Sequence, residues 1–446
     1  MEKVLPITTG SNTFTELLTG GRVRVVKLNN AATTPPFVQT VDALHAFFDS
    51  YGALHRGAGP HANATVETTE KALSTIRQFL GVSSEQTLLF SSNTSTAINL
   101  IARLMTLNEK DVILTSCIEH TSNNLPWRYN TKAKIVEVAA FSDGSIDMND
   151  LLKKAKLHEK NLKWIVITGA SNLTGYVPDI KRLSEIAHTS GARLFVDAAQ
   201  LAPHRPINMT EQGIDALAFS AHKIYSPFGL GVLVLPKDLL DRSPVDPGGG
   251  SIDMISEKDI VWAPSTERHQ TGTWNVTGIV ALAESCRGMM SMGWKTILGH
   301  EKELVEYTAK RLAAIPDLTL HVPLEKFLSG DRIGTFPFTL KGYHHALLAA
   351  ILDHEYGIET RAGTICNHRL VRRWFAIGDE DQKKIEERIK GGDRLASYGA
   401  VRASIGIFNT KEDIDRLIDA LKSIQKNGAR LRYKPTPHEE TWSPEL

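Results

Sequence analysis

Lys223 stands in Phe219-Ser-Ala-His-Lys-Ile-Tyr-Ser-Pro-Phe-Gly-Leu-Gly231, between a predicted buried strand and a glycine-bearing loop. A lysine so placed is ill suited to be a surface charge, although a partly exposed loop lysine is the plain alternative. Upstream, Leu194-Phe-Val-Asp-Ala-Ala-Gln200 ends a strand with the carboxylate of Asp197, followed by the amide of Gln200. Asp197 by itself reads equally well as a helix N-cap. Facing a pyridinium nitrogen, the same carboxylate would keep that nitrogen protonated and make the ring an electron sink. Gln200 could then donate to the ring's phenolic oxygen. A strand ending Asp-Ala-Ala-Gln, with Ser-x-His-Lys further along, is much harder to obtain by accident than either alone, and it suits a lysine amine that forms a Schiff base.

Two more stretches could complete such a site. Phe90-Ser-Ser-Asn-Thr-Ser-Thr-Ala-Ile-Asn99 passes from a strand through small polar residues into a helix predicted over Ala97 to Met105. Backbone N–H groups and hydroxyls there would cradle a phosphate, or simply cap the helix. His120, in Ile118-Glu-His-Thr-Ser122, follows another strand and would stack on a cofactor ring or act as a structural hydrogen-bonder.

These residues must be held by a scaffold, and short β-rich runs alternate with helical patterns through the first two thirds of the chain. The runs are Gln86 to Ser91, Asp111 to Ser116, Lys134 to Val138, Lys163 to Thr168, Arg193 to Asp197, Asp215 to Ser220 and Gly231 to Leu235. Alternation predicts a mostly parallel sheet covered by helices. Trp164-Ile-Val-Ile167 is apolar on consecutive residues, as strands buried on both faces are. In such sheets ligands sit at the carboxyl ends of the strands. Pro178 and Asp179 open a helix that runs to His188 and stops at Gly191. Past about residue 296 the texture changes to long charged helices. There Thr410 and Asp413 resemble a capping box, and Ile414, Leu417, Ile418, Leu421 and Ile424 share one helix face. The expected division is a large domain over 21–296 and a small domain made of 1–20 with 297–446. The proline-bearing tail from Arg430 to Leu446 is expected to lie along the surface.

Composition narrows the class. With 446 residues, 42% of them hydrophobic, the chain can bury one large core and a smaller one. Its 51 Lys and Arg nearly cancel 50 Asp and Glu, which argues against nucleic acid or an anionic membrane and for a small-molecule substrate. No basic start leads into an apolar run and no long uninterrupted apolar stretch occurs, so a cytoplasmic protein is expected. Three cysteines, Cys117, Cys286 and Cys366, show no CxxC or zinc spacing, so neither a disulfide framework nor a metal is indicated.

Together these segments resemble the class V aminotransferase family, and most closely its group II cysteine desulfurase and selenocysteine lyase branch. The likeness runs from Leu28-Asn-Asn-Ala-Ala-Thr33 and His55-Arg-Gly57 through Arg402-Ala-Ser404. It implies the type I fold of pyridoxal 5'-phosphate enzymes: an α/β chain with a mostly parallel seven-stranded sheet in the large domain and a smaller α+β C-terminal domain. By the same likeness Lys223 would carry the cofactor as a Schiff base, Asp197 and Gln200 would contact its ring, and His120 would stack on it. Thr94, Ser95, Ser220 and His222 would hold the phosphate, and Asn172 would reach the ring oxygen. Arg268-His-Gln-Thr-Gly-Thr-Trp-Asn275 is similar to the family segment that lends a phosphate ligand, here Thr273, to the neighbouring subunit, which implies a homodimer with shared sites.

The resemblance also bears on the reaction. Arg402 matches the family arginine that clamps a substrate carboxylate, and Ala31, His55 and Arg361 are the other expected substrate contacts. Cys366 lies in Arg361-Ala-Gly-Thr-Ile-Cys366, similar to the Arg-x-Gly-x-x-Cys run whose thiolate attacks the substrate sulfur in group II desulfurases. Its basic neighbours Arg361, His368 and Arg369 would favour the thiolate. Two departures stand out: Thr364 and Ile365 replace the histidines usual before that cysteine, and a charged, helical insertion lies at Asp379 to Asp393. The implied reaction converts L-cysteine or selenocysteine to alanine, leaving a persulfide on Cys366 for an acceptor protein. The alternatives are a carbon-sulfur lyase or other family reaction, such as epimerisation, in which Cys366 is a bystander, and a non-catalytic protein that only binds the cofactor.

Overall fold

The computed structural model describes residues 7–54 and 57–445. All seven β-rich runs become strands of one sheet, ordered Gln86–Ser91, Gly231–Pro236, Ala216–Ser220, Arg193–Asp197, Leu162–Thr168, Val112–Ser116, Lys134–Val138. Neighbours from Ala216–Ser220 to Lys134–Val138 run parallel. Only Gly231–Pro236 runs against both of its neighbours. This is the mostly parallel seven-stranded sheet of the type I fold.

Side chains alternate between the two faces, as strand geometry requires. Leu88, Phe90, Leu114, Ile165, Ile167 and Val196 pack into one core with Ile76 and Phe79 of the helix Pro60–Leu80 and Ile279 of the helix Val276–Met292. Leu89, Ile113, Trp164, Val166 and Phe195 face the opposite way, against Ile98 and Ile101 of the helix Thr94–Leu104. Each side chain buried this fully contributes about 1.5–3 kcal/mol. Both faces being covered is why the strands read as continuous apolar runs.

A second core gathers around four antiparallel strands, ordered Leu318–Leu320, Thr335–Leu340, Ala400–Ser404, Arg361–Gly363. The capping box at Thr410 and Asp413 forms and starts the helix Lys411–Asn427. Its stripe Ile414, Leu417, Ile418, Leu421 and Ile424 is fully buried beside Phe336, Phe338 and Val401. Val26 and Leu28 join this core, because Val26–Lys27 pairs in parallel with Ile358–Glu359.

Asp179 caps the helix Ile180–Thr189 by accepting from the Arg182 N–H, and Gly191 follows at φ +67°. The charged insertion forms the helix Asp379–Lys390, with no buried residue. The tail is more organised than its prolines suggest: Tyr433–Thr436 pairs with Thr441–Pro444 as a hairpin, and the Tyr433 hydroxyl donates to Glu355 Oε1 at 3.1 Å. Among the described residues no helix is long and apolar enough to cross a membrane, and no group of His, Cys, Asp and Glu is placed to hold a metal ion.

Candidate active site

Nine of the expected residues line one cavity of about 290 Å³ at the carboxyl ends of the strands: Thr94, Ser95, His120, Asn172, Asp197, Gln200, Ser220, His222 and Lys223. Asp197 is the last residue of its strand and 4% exposed. Its Oδ1 accepts from the Ala199 N–H at 3.0 Å. Burial raises its pKa, while that N–H and Lys223 pull the other way. Lys223 ends the short 3-10 turn Ala221–Lys223 that follows the strand Ala216–Ser220. Burial lowers its pKa and Asp197 opposes the shift; Arg402 adds to the lowering and Cys366 counters it. Amine and carboxylate thus act on each other across the cavity.

The opposite end is built for an anion. Asn93 caps the helix Thr94–Leu104 by accepting from the Thr96 N–H, so the cap expected there does form. The Thr94 N–H donates to Ser220 Oγ at 2.7 Å, and the Thr94 and Ser220 hydroxyls lie 2.6 Å apart. The Ser95 and Ser122 hydroxyls pair at 2.6 Å, and His222 Nδ1 lies 2.9 Å from Thr33 Oγ1. A helix start with hydroxyls converging on it is a ready site for a phosphate. Gly231 permits this packing: a Cβ on it would lie 2.4 Å from the carbonyl of Asn93.

His120 Nδ1 accepts from the Ser122 N–H at 3.1 Å, so the neutral ring carries its proton on Nε2. Its pKa is pushed down to about 4 by burial and by the charges of Lys223, Arg402 and His368. A neutral imidazole on a cavity wall can lie against an aromatic ring. The preceding residue, Glu119, was not singled out in the sequence. Burial pushes its carboxyl up to about 8, against hydrogen bonds from Ser116 at 2.5 Å and Asn123 at 2.6 Å. Trp127 Nε1 donates onward to Asn123 Oδ1 at 3.0 Å. The four-residue steps from Glu119 to Asn123 to Trp127 are the signal that could have found this network.

Gln200 and Asn172 are engaged in ways the sequence did not show. Gln200 Nε2 donates to the Ala31 carbonyl at 2.6 Å, leaving Oε1 buried without a partner at the cavity wall. Asn172 Nδ2 donates to the Ile365 carbonyl at 2.9 Å, on the Cys366 loop. Asn172 O accepts from Arg402 Nη1 at 2.8 Å, and Arg402 Nη2 donates to Asn29 Oδ1 at 3.1 Å. Arg402 lies in the middle of its strand at 2% exposure with Nε unpaired. Burial and Arg361 push its pKa down to about 9, and Cys366 acts against them. Arg361 sits directly across the strand pair from Arg402. It lines a second cavity of about 580 Å³, together with Asn29. Cys366 is half-buried, whereas Cys117 and Cys286 are buried; all three are free thiols. Of the three thiols, Cys366 is the one whose charge acts on Lys223 and Arg402.

Three expected residues stand apart. Thr273 is exposed and does not line the cavity of its own chain. Ala31 is buried beside the cavity, its N–H donating to Ser404 Oγ at 3.0 Å. His55 lies outside the described residues. Asn93, Ser122, Thr168, Ala170 and Ala199 also line the cavity. All five follow or end strands, where the fold places ligands.

The cavity fits a phosphorylated pyridine aldehyde: a buried carboxylate for the ring nitrogen, an imidazole for its face, an anion cradle and an amine.

Comparison with known proteins agrees with this geometry. The family model "Aminotransferase class-V" matches residues 26–417. A probable cysteine desulfurase of Halalkalibacterium halodurans is 32% identical over 90% of this chain and 93% of its own length. One from Staphylococcus aureus is 31% identical over 90% and 92%. Among solved structures, the apo cysteine desulfurase of Thermococcus onnurineus superposes with a TM-score of 0.77 at 26% identity, covering 90% of this chain and 95% of that one. The cysteine desulfurase CsdA of Escherichia coli gives 0.74 at 27%, covering 89% and 94%.

Proposed function

The chain belongs to the class V aminotransferase family, and from that premise we propose that it is a pyridoxal 5'-phosphate-dependent cysteine desulfurase, taking L-cysteine or its selenium analogue to alanine. The observation that carries the reading is the placement of the Cys366 loop: the carbonyl of Ile365, the residue before the thiol, accepts from Asn172 Nδ2 at 2.9 Å, and Asn172 lines the same cavity as Lys223.

When bound, the cofactor supplies an electron sink for the bond pair released at the substrate α-carbon. Asp197 would hold a proton at the ring nitrogen, and His120 would face the ring from the cavity wall. Thr94, Ser95, Ser220 and His222 hold the phosphate. Arg402 receives the substrate carboxylate, which supplies the anion its buried guanidinium lacks. Arg361, one strand over, adds positive charge on the same side. The Lys223 amine moves a proton at the substrate α-carbon. Cys366 Sγ, as thiolate, attacks the substrate sulfur. An S–S bond forms and the Cβ–S bond breaks; its electron pair stays with Cβ, which takes up a proton. Cysteine and the Cys366 thiol thus become alanine and a Cys366 persulfide, whose outer sulfur is open to a thiol acceptor.

A homodimer belongs to the same reading, since Thr273, exposed on its own protomer, is free to meet the cavity of a second. Free thiols at all three cysteines suit a reducing cytoplasm. Two cores support a division into a large and a small domain, the second core drawn mainly from residues between Leu304 and Ile424 but joined by Val26 and Leu28 from within the range 21–296.

The test is to measure alanine, pyruvate and sulfide from L-cysteine, with and without reductant, in the native protein and in Cys366→Ala. Alanine with reductant-dependent sulfide, lost in Cys366→Ala, supports desulfuration. Pyruvate as the product, or full turnover by Cys366→Ala, overturns it.

A further inference from the structure

Cys366 sits on a backbone that needs holding. Ile365 and Cys366 are consecutive non-glycine residues in the left-handed region, at φ +53° and +57°. For a β-branched residue such as Ile365 this is a genuine outlier, and it persists only where the surroundings over-determine it. Two asparagines flank the pair. Asn172 Nδ2 donates to the Ile365 carbonyl at 2.9 Å. Asn367 Nδ2 donates to the Ile118 carbonyl at 2.8 Å. Asn172 is a wall of the cofactor cavity, and Ile118 lies two residues before His120, which lines another wall.

Asn367 is also the N-cap residue of the helix His368–Trp374, yet its side chain makes no cap hydrogen bond. Asparagine at this position ordinarily accepts from the first-turn amides. Here the residue is 2% exposed, its Oδ1 is left without a partner, and its amide N–H reaches across to the large sheet's loop. The helix is anchored by other means. Trp374 Nε1 donates to Ser142 O at 2.7 Å, Arg373 Nη1 to Ala140 O at 3.2 Å, and Arg369 pairs with Glu137. The body of the helix is therefore fastened without Asn367; what Asn367 fastens is its start, next to the thiol.

We propose that Asn367 is a positioning residue for Cys366, forming with Asn172 a two-point clamp that registers the thiol against the loops carrying the cofactor cavity. This rests on the reading that Cys366 receives the sulfur. The clamp acts on the transfer step and leaves the amino-acid contacts of Arg402 untouched.

Asn367→Asp separates the clamp from helix capping. Aspartate has the same shape and is a good N-cap, but its carboxylate has no N–H for the Ile118 carbonyl. The measurements are steady-state alanine formation, the absorbance of the bound cofactor, and the rate at which iodoacetamide labels Cys366, in Asn367→Asp and Asn367→Ala. Both variants are expected to lose on the order of 10- to 100-fold in kcat, as displaced reacting groups do. KM for cysteine should stay within about twofold and the cofactor band unchanged, since binding is spared. Cys366 should be labelled faster as its loop loosens. Native kcat and labelling rate in Asn367→Asp would overturn the clamp, because a capping role alone is satisfied by aspartate. So would a fall in activity accounted for by lost cofactor. Full turnover by Cys366→Ala would instead remove the underlying reading, so the two failures are told apart.

Discussion

Replacing Arg402 by lysine keeps the charge and removes the geometry. Arginine offers five N–H donors. Two go to Asn172 O at 2.8 Å and Asn29 Oδ1 at 3.1 Å, and Nε stays buried and unpaired. The remaining donors give a substrate carboxylate a two-point contact. A lysine ammonium has three donors on a flexible stem. Once it satisfies the same two protein oxygens, one donor remains for the carboxylate. The loss is one charge-assisted hydrogen bond, about 1.5–3 kcal/mol, or about 10- to 150-fold in kcat/KM. Initial rates of alanine formation against cysteine concentration read this directly, and KM should carry most of the change. Cysteamine, cysteine without its carboxylate, is the control ligand: its effect on the cofactor band should be nearly the same in the native protein and Arg402→Lys. An unchanged KM for cysteine, or an equal loss for cysteamine, would refute the assignment of Arg402 to the carboxylate.

Two further predictions concern other parts of the molecule. Borohydride reduction should add the cofactor's mass to the peptide containing Lys223 and to no peptide in Lys223→Ala, whose turnover should fall by about 10²–10⁴-fold for want of its proton carrier; a tag on another lysine contradicts the site. Glu301 predicts acid sensitivity between the domains: burial disfavours its charge, but His204 and Arg205 outweigh burial and hold its pKa at about 2, below the ordinary 4.5. With the folded value depressed, the stabilisation is fully present above pH 4.5 and is lost as pH falls toward 2, amounting to about 3 kcal/mol for 2.5 pH units. Urea unfolding of the native protein and Glu301→Gln should differ most at neutral pH and converge only as the pH falls to about 2, whereas a gap independent of pH would contradict this.

The scaffold was legible where burial leaves a period. Trp164-Ile-Val-Ile167 announces a strand because each residue has an apolar core on its own side of the sheet. The reversed direction of Gly231–Pro236 leaves no such mark, since a strand buried on both faces has the same composition whichever way it runs. Lys223 and Asp197 are legible because strand ends are where ligands sit, whereas Thr94 and Ser220 follow as phosphate contacts only from the family resemblance. The partners of Asn172 and Gln200 are not legible, since an amide's hydrogen bond depends on which loop folding brings near: the carbonyls of Ile365 and Ala31 are distant in sequence and show no side-chain signature. The tail hairpin was hidden for a related reason: Pro435 and Pro444 read as breaks, yet they sit in an isolated two-stranded pair whose outer edges need no donor.

Passage of the substrate sulfur to Cys366 is read by mass spectrometry of the Cys366 peptide after one turnover without reductant. One added sulfur atom on Cys366, removed by a thiol reductant and formed in equal amount with alanine, is the predicted result. Alanine formed in full while Cys366 stays unmodified would contradict it.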